Sequence, residues 1–458
     1  MIRSRFATLR RSLPVILLLV AVTLAPLAAP PRAHAADVGL VLEALTVLRD
    51  RYVDPVDSVV LLNGGIGGLR AVLSAAGIQV DLAEIPAGTS SGRATTLFRT
   101  RFASANTAAA GRVSTTNLAY TAIRGMTAVL KDSHTGFITP EANRERVARQ
   151  RRQAAFSGIG VVLMPREGRF YIRDVIPGTP AEIAGVQALD RIMRIDNIPT
   201  QGMQTDQVAG LIRGTPGTPV SIVLDRPGQA DAVTLSVTRA PIQIPAVFQA
   251  RVLEGGIGYL QIYQFVDRTG ADVRRAIERM QKDGMRALVL DVRANSGGFL
   301  HELTATLNAL LPPGRPIYQE TTRGGQTRTT RTTGVPVLPS YVPVILLVDE
   351  SSASAAELLS AALQEQGRAT LVGAKTSGAV EASVLFDLSD ESALSVTILR
   401  LSTGQGRRLE GAGLTPDIPV ALNVADLDLG RDTQLQRAIL AARQRLGLAR
   451  VTVPAASR

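Results

Sequence analysis

From Gly256 onward the chain alternates two kinds of segment, and this alternation constrains its fold more than any other feature. Strands are expected at Ile257–Phe265, Ala287–Val292, Pro343–Val348 and Ala369–Val372, with helices between them at Gly270–Lys282, Leu300–Leu311 and Ser354–Gln366. Strand–helix–strand repetition builds a mostly parallel sheet covered by helices, because parallel neighbours need a long crossover between them. The run Val344-Ile345-Leu346-Leu347-Val348 has no polar alternation, as a strand buried on both faces requires. The expected class is α/β, with a last amphipathic helix in Asp432–Leu446.

Upstream the pattern differs. Leu40, Leu42, Leu45 and Leu48 recur at helical spacing, Leu61–Leu73 follows, and Asn117–Leu130 forms a third apolar-faced helix before the charged helix Glu141–Gln153. The segment Ile78–Thr116 is rich in small residues and reads ambiguously, apart from a helix near Ala94–Ala103. Phe156–Arg239 alternates short strands with Gly/Pro turns. The expected organisation is a leader (1–35), a helical region (36–155), a β-rich module (156–240), the α/β core with its final helix (241–447) and a tail (448–458).

The leader has a basic start, an apolar run Leu13–Ala29 and the small-x-small pattern Ala33-His34-Ala35. It reads as an export signal, which places the mature chain in the periplasm, the cell envelope or outside the cell; left uncleaved, it would be an N-terminal membrane tether. Five of the +11 net charges sit in this leader, and the remainder is scattered, without the basic stripe that a nucleic-acid partner would need. The 458 residues contain no cysteine, which excludes disulfides, thiolate metal sites and a Cys nucleophile. Only three histidines occur, which nearly excludes a multi-histidine metal site, and nothing in the sequence implies a metal or an organic cofactor.

Chemistry in an open parallel sheet belongs at the carboxyl ends of its strands, where helix N-termini point their N–H groups. Two strand ends carry suitable residues. At Val348–Glu357 a serine, Ser354, opens a helix, and the following Ala355 N–H can face a developing oxyanion. Ser354-x-x-Glu357 is equally a capping box. At Asp291–Gly298 the paired Gly297 and Gly298 let backbone N–H groups approach a ligand.

These residues resemble a family. Asp291-Val292-Arg293-Ala294-Asn295-Ser296-Gly297-Gly298 is similar to the D-L-R-x-N-x-G-G element of carboxyl-terminal processing (tail-specific) serine proteases. Ser351–Glu357 is similar to their S-A-S-A-S-E nucleophile motif, Lys131–Gly136 to their L-x-D-x-H segment, and Glu410–Asp417 to their E-G-x-G-V-x-P-D element. The resemblance implies a crotonase/ClpP-like protease sheet, an inserted PDZ-like module, hydrolysis of peptide bonds and polypeptide substrates with flexible C-termini; a homo-oligomer is compatible with it. It also implies that Gly158, Ile159 and Gly160 form the loop that binds a substrate's terminal carboxylate, followed by the signature Ile176–Gly185. Leu189 departs from the usual glycine before Asp190.

The base departs more seriously. The family's lysine in G-x-x-T-x-G-K is replaced by Ala379 in Gly373-Ala374-Lys375-Thr376-Ser377-Gly378-Ala379. Three readings follow. A tricorn-like set of Ser354, His134, Ser133 and Glu410 supplies a histidine base; Lys375 serves from four residues earlier; or the chain binds tails without cutting them. Every position of the histidine set is filled, which makes it the expected arrangement, with Gly297 or Gly298 and Ala355 as oxyanion donors.

Overall fold

The computed structural model describes residues 37–132, 134–153 and 157–448. The expected leader, Ser133, residues 154–156 and the C-terminal tail beyond residue 448 lie outside the described residues.

The core is a six-stranded sheet in the order Val247–Leu253, Ile257–Ile262, Ala287–Asp291, Val344–Val348, Ala369–Gly373, Ile418–Pro419. The first pairing is antiparallel and the others are parallel. Successive residues serve opposite faces, as strand geometry dictates. Leu288 and Leu290 pack toward the layer holding Thr269–Lys282, Leu300–Leu310 and Ala355–Glu365, while Ala287 and Val289 pack with Ala438, Ala441 and Ala442 of helix Thr433–Arg445. This two-sided cover explains the uninterrupted apolar run at Val344–Val348, where every residue is buried. The strand expected to reach Phe265 stops at Ile262, and Phe265 instead forms an isolated bridge to Gly298.

A second sheet was not expected. It joins Gly136–Ile138, Ala393–Thr403, Pro316–Thr322 and Thr327–Arg331, with Ala382–Asp387 also on the long strand. Leu394 and Val396 of this sheet, with Leu388 from the turn beside it, enter one core with the N-terminal helices Val38–Arg51, Ser58–Ala75, Ser91–Ala109 and Thr115–Ala128. The second and fourth of these helices cross in close backbone contact, since a Cβ on Gly64 would lie 2.5 Å from the Gly125 carbonyl oxygen.

The module between the two parts has a sheet ordered Val161–Arg166, Arg169–Val175, Arg191–Ile195, Pro219–Asp225, Val233–Thr238, with short helices Pro180–Ile183 and Thr205–Ile212. Val161–Arg166 is its edge. The module sits against the core through Val162, Ile176, Ile242 and Phe248, and against the C-terminal segment through Met164, Tyr171, Leu189 and Leu427. Leu189 holds a left-handed φ of 70° at the position where the resemblance expects glycine.

Candidate active site

Ser354 lies where strand Val344–Val348 turns into helix Ala355–Glu365. Its backbone, φ 54° and ψ −120°, is outside the extended range of an ordinary N-cap, so the capping-box reading describes only part of the turn. Such a conformation costs about 1–3 kcal/mol and persists only where the surroundings impose it. The imposing contacts are visible: the Ser354 N–H donates to the Ala379 carbonyl at 2.8 Å, and the helix behind it is buried from Ala355 to Leu363. The buried Glu357 carboxylate gathers the neighbourhood, accepting from Thr376 Oγ1 (2.5 Å), Gly378 N–H (2.8 Å), Ala379 N–H (2.9 Å) and Ser354 N–H (3.3 Å).

The glycine turn packs directly beneath. A Cβ on Gly297, at φ 98°, would stand 2.6 Å from the Ser354 Cβ, and one on Gly298, at φ 136°, would stand 2.1 Å from the Phe265 carbonyl oxygen. The two glycines differ in what their amides do. The Gly297 N–H donates to Asn295 Oδ1 at 2.8 Å, which corrects the expectation that Gly297 is an available oxyanion donor. The N–H groups of Gly298 and Ala355 have no hydrogen-bond partner among the described residues. Asn295, fully buried, is itself fixed by Nδ2 donating to the Ile262 carbonyl at 2.9 Å. Below the turn, Asp291 accepts from Tyr259 and Arg293, and Arg293 reaches on to Asp432 and Gln434. Burial pushes the Asp291 carboxyl up, but attraction and hydrogen bonds from Arg293 outweigh it and hold it below its ordinary value.

His134 arrives from the front of the chain. Asp132 accepts the His134 N–H at 2.9 Å and the Thr135 hydroxyl at 2.7 Å, and the strand Gly136–Ile138 then pairs with Ala393–Ser395. The Ser395 hydroxyl donates to the His134 carbonyl at 2.7 Å, so the turn is pinned at both ends. The imidazole Nδ1 lies 3.2 Å from Glu410 Oε1, with 23% and 13% of the two side chains exposed. Glu410 Oε2 accepts the N–H groups of Val380 (2.9 Å) and Glu381 (3.1 Å). The segment Ala379–Glu381 therefore holds Ser354 through one residue and the carboxylate facing His134 through the next two. Ser133 lies outside the described residues.

The environment of this pair is acidic. Glu381 is buried beside it, and its carboxyl is pushed up by burial and by the nearby Asp132 and Glu410 charges, while Arg408 at 2.8 Å opposes the shift. Burial also raises Asp132, but hydrogen bonds from Thr397, the His134 N–H and Thr135 prevail and lower it. Lys375 is exposed on its loop. A lysine base needs burial to shed its proton near neutrality, so this placement counts against that reading. Asp267, His301 and Glu302 are close enough to share a cation, but Glu302 already accepts the N–H groups of Arg268 and Gly270 at 2.8 Å each.

Facing the site, a cleft of about 700 Å³ runs from the edge strand and helix of the β-rich module to Tyr263, Ala294, Ser296 and Ser351. The asparagine that ties up the Gly297 amide and the core residues that line the cleft with the edge strand escaped sequence reasoning. The first depends on one rotamer and the second on how two modules dock.

Residues 256–420 match the model of peptidase family S41, and residues 171–226 match that of the PDZ domain. The chain is 30% identical over 321 residues to a carboxyl-terminal-processing protease of Picosynechococcus, covering 69% of this chain and 77% of that protein. It is 31% identical over 320 residues to the carboxy-terminal-processing protease of Bartonella bacilliformis, covering 69% and 72%. Among solved structures, the photosystem II D1 C-terminal processing protease superposes with a TM-score of 0.50 at 25% identity, covering 87% of this chain and 98% of that one. The chain belongs to the carboxyl-terminal-processing proteases of peptidase family S41 and is a serine-type peptidase carrying a PDZ domain.

Proposed function

We propose that this protease is exported on its first 35 residues, captures flexible polypeptide C-termini in its PDZ cleft and cleaves them with a histidine-based set in place of a lysine dyad. Ser354 attacks the scissile carbonyl and His134 takes its proton, acting through Nε2 while Glu410 faces Nδ1. Ser133 is assigned with Glu410 to orienting the ring. The N–H groups of Gly298 and Ala355 receive the oxyanion, a contribution typically worth about 3–4 kcal/mol per donor. The imidazolium formed in the first step then protonates the leaving amine, and water repeats the sequence on the acyl-enzyme.

The tail enters as an added strand on the Val161–Arg166 edge, opposite helix Thr205–Ile212. Its carboxylate is received at Gly158, Ile159 and Gly160. The N–H groups of Ile159 and Gly160 have no partner among the described residues, and Gly160 holds φ 90° against Thr179. Gly158 starts the loop by pairing with Ala240.

The observation that carries the catalytic reading is the 3.2 Å approach of His134 Nδ1 to Glu410, on the segment that also holds Ser354. The test is fluorophosphonate labelling together with cleavage of a flexible-tailed substrate. Both are expected in the wild type and absent in Ser354→Ala; label that persists in that variant, or a wild type that never reacts, overturns the reading. For capture, amidating the substrate's C-terminus is expected to weaken binding, and unchanged affinity would reduce the PDZ domain to a spacer.

A further inference from the structure

One buried cation crosses from the PDZ domain into the catalytic scaffold. Arg173, on strand Arg169–Val175, keeps only 10% of its side chain exposed and puts Nη1 2.7 Å from Asp349 Oδ2. Its Nε lies 3.4 Å from Asp174, and its Nη2 lies 3.8 Å from Asp291. Asp349 closes the strand that leads to Ser354. With Oδ1 it accepts the N–H of Ser351 on the nucleophile turn and the N–H of Ala294 on the glycine turn, each at 3.0 Å. Ala294 has a left-handed φ of 56°, as Ser354 has one of 54°, so both turns are held in conformations their residues do not prefer.

We infer that Arg173 is a positioning residue for peptide hydrolysis, holding Asp349 so that the turns bearing Ser354 and Gly298 keep their mutual register. The chemistry explains why an arginine serves. Asp349 is 3% exposed, and a buried carboxylate stripped of its cation is costly enough to drive rearrangement of whatever it holds. Among the described residues no cation of the protease core pairs with Asp349, and Arg293 is committed to Asp291 and Asp432. The docked PDZ domain thus completes the active site, and lifting it away withdraws the cation. The strand bearing Arg173 pairs along its length with Val161–Arg166, the edge facing the tail cleft, so tail capture and catalytic register share one two-stranded unit. This inference rests on the reading of Ser354 as nucleophile.

The test compares wild type with Arg173→Gln and Arg173→Lys in the full chain, reading the rate of fluorophosphonate reaction at Ser354, kcat, KM for a tailed substrate and melting temperature. For Arg173→Gln the labelling rate and kcat are expected to fall about 10- to 100-fold, while KM shifts by no more than about threefold. Arg173→Lys is expected to recover part of the rate. A labelling rate equal to wild type overturns the inference, as does a loss carried wholly by KM. Should Arg173→Gln not fold, Asp349→Asn removes the same charge pair from the other side and is expected to show the same loss, and full reactivity there overturns the inference. A wild type that never labels overturns the reading of Ser354 and this inference together, whereas a reactive wild type with an equally reactive Arg173→Gln overturns this inference alone.

Discussion

The carbonyl of Ala379 accepts the backbone N–H of Ser354 at 2.8 Å. The residue standing where the family motif has its lysine is therefore in contact with the backbone of Ser354, the proposed nucleophile, but its methyl group can take no proton. The next two residues hold Glu410 by their amides, and Glu410 faces His134. In the proposed mechanism the base comes from a different part of the chain, while the segment that carries the lysine in the family motif contacts both Ser354 and Glu410.

Glu410→Gln keeps the size of the side chain and removes its charge. The ring loses the group that stabilises its protonated form, so kcat is expected to fall by roughly 10²–10⁴ with little change in KM. Steady-state cleavage across pH checks this, and an unchanged kcat would separate Glu410 from catalysis.

Asn295 holds the Gly297 amide and the Ile262 carbonyl inside the protein. Asn295→Ala leaves both unpaired, which should destabilise the fold by about 1–3 kcal/mol. Turnover should fall further than stability alone explains, since the glycine turn carries the proposed oxyanion donor. Denaturant melts and turnover measured well below the midpoint separate the two effects.

Leu189 combines an unfavourable backbone angle with packing against Met164, Tyr171 and Leu427. Replacing it with glycine relieves the first and loses the second, and replacing it with alanine keeps the strain while losing the packing. Leu189→Ala is accordingly expected to be less stable than Leu189→Gly, by about 1 kcal/mol. Thermal melts of the pair decide it.

Asp132 has its carboxyl held below the ordinary value by the hydrogen bonds that shape the His134 turn, against the opposing effect of burial. A depressed acid stabilises the fold above its unfolded pKa, near 3.8, and that contribution is lost as pH falls through the folded value. The melting-temperature gap between wild type and Asp132→Asn should therefore be full at pH 6 and shrink below about pH 4. A gap independent of pH would contradict this.

The parallel sheet was legible because its strands are local and apolar throughout, as at Val344–Val348, with helices of clear period between them. The motifs of Ser354 and of Gly297-Gly298 were legible because each follows a strand end, whereas those of His134 and Glu410 were legible only through the family resemblance. The second sheet was not. Its long strand, Ala393–Thr403, takes partners as distant as Gly136–Ile138, and its neighbour Ala382–Asp387 exposes Ser383, Val384 and Leu385. No periodicity links such segments. That pairing delivers His134, so the motif could be named from the chain but its destination could not. The choice between Gly297 and Gly298 was equally hidden, since it turns on the side-chain amide of Asn295 two residues away.

The most direct measurement is the rate of Ser354 acylation in His134→Ala set against Lys375→Ala, with both variants shown to melt as wild type. The account expects the histidine variant to lose acylation by at least about 10³-fold and the lysine variant to keep it within about twofold. Acylation that survives without His134, or disappears without Lys375, would contradict it.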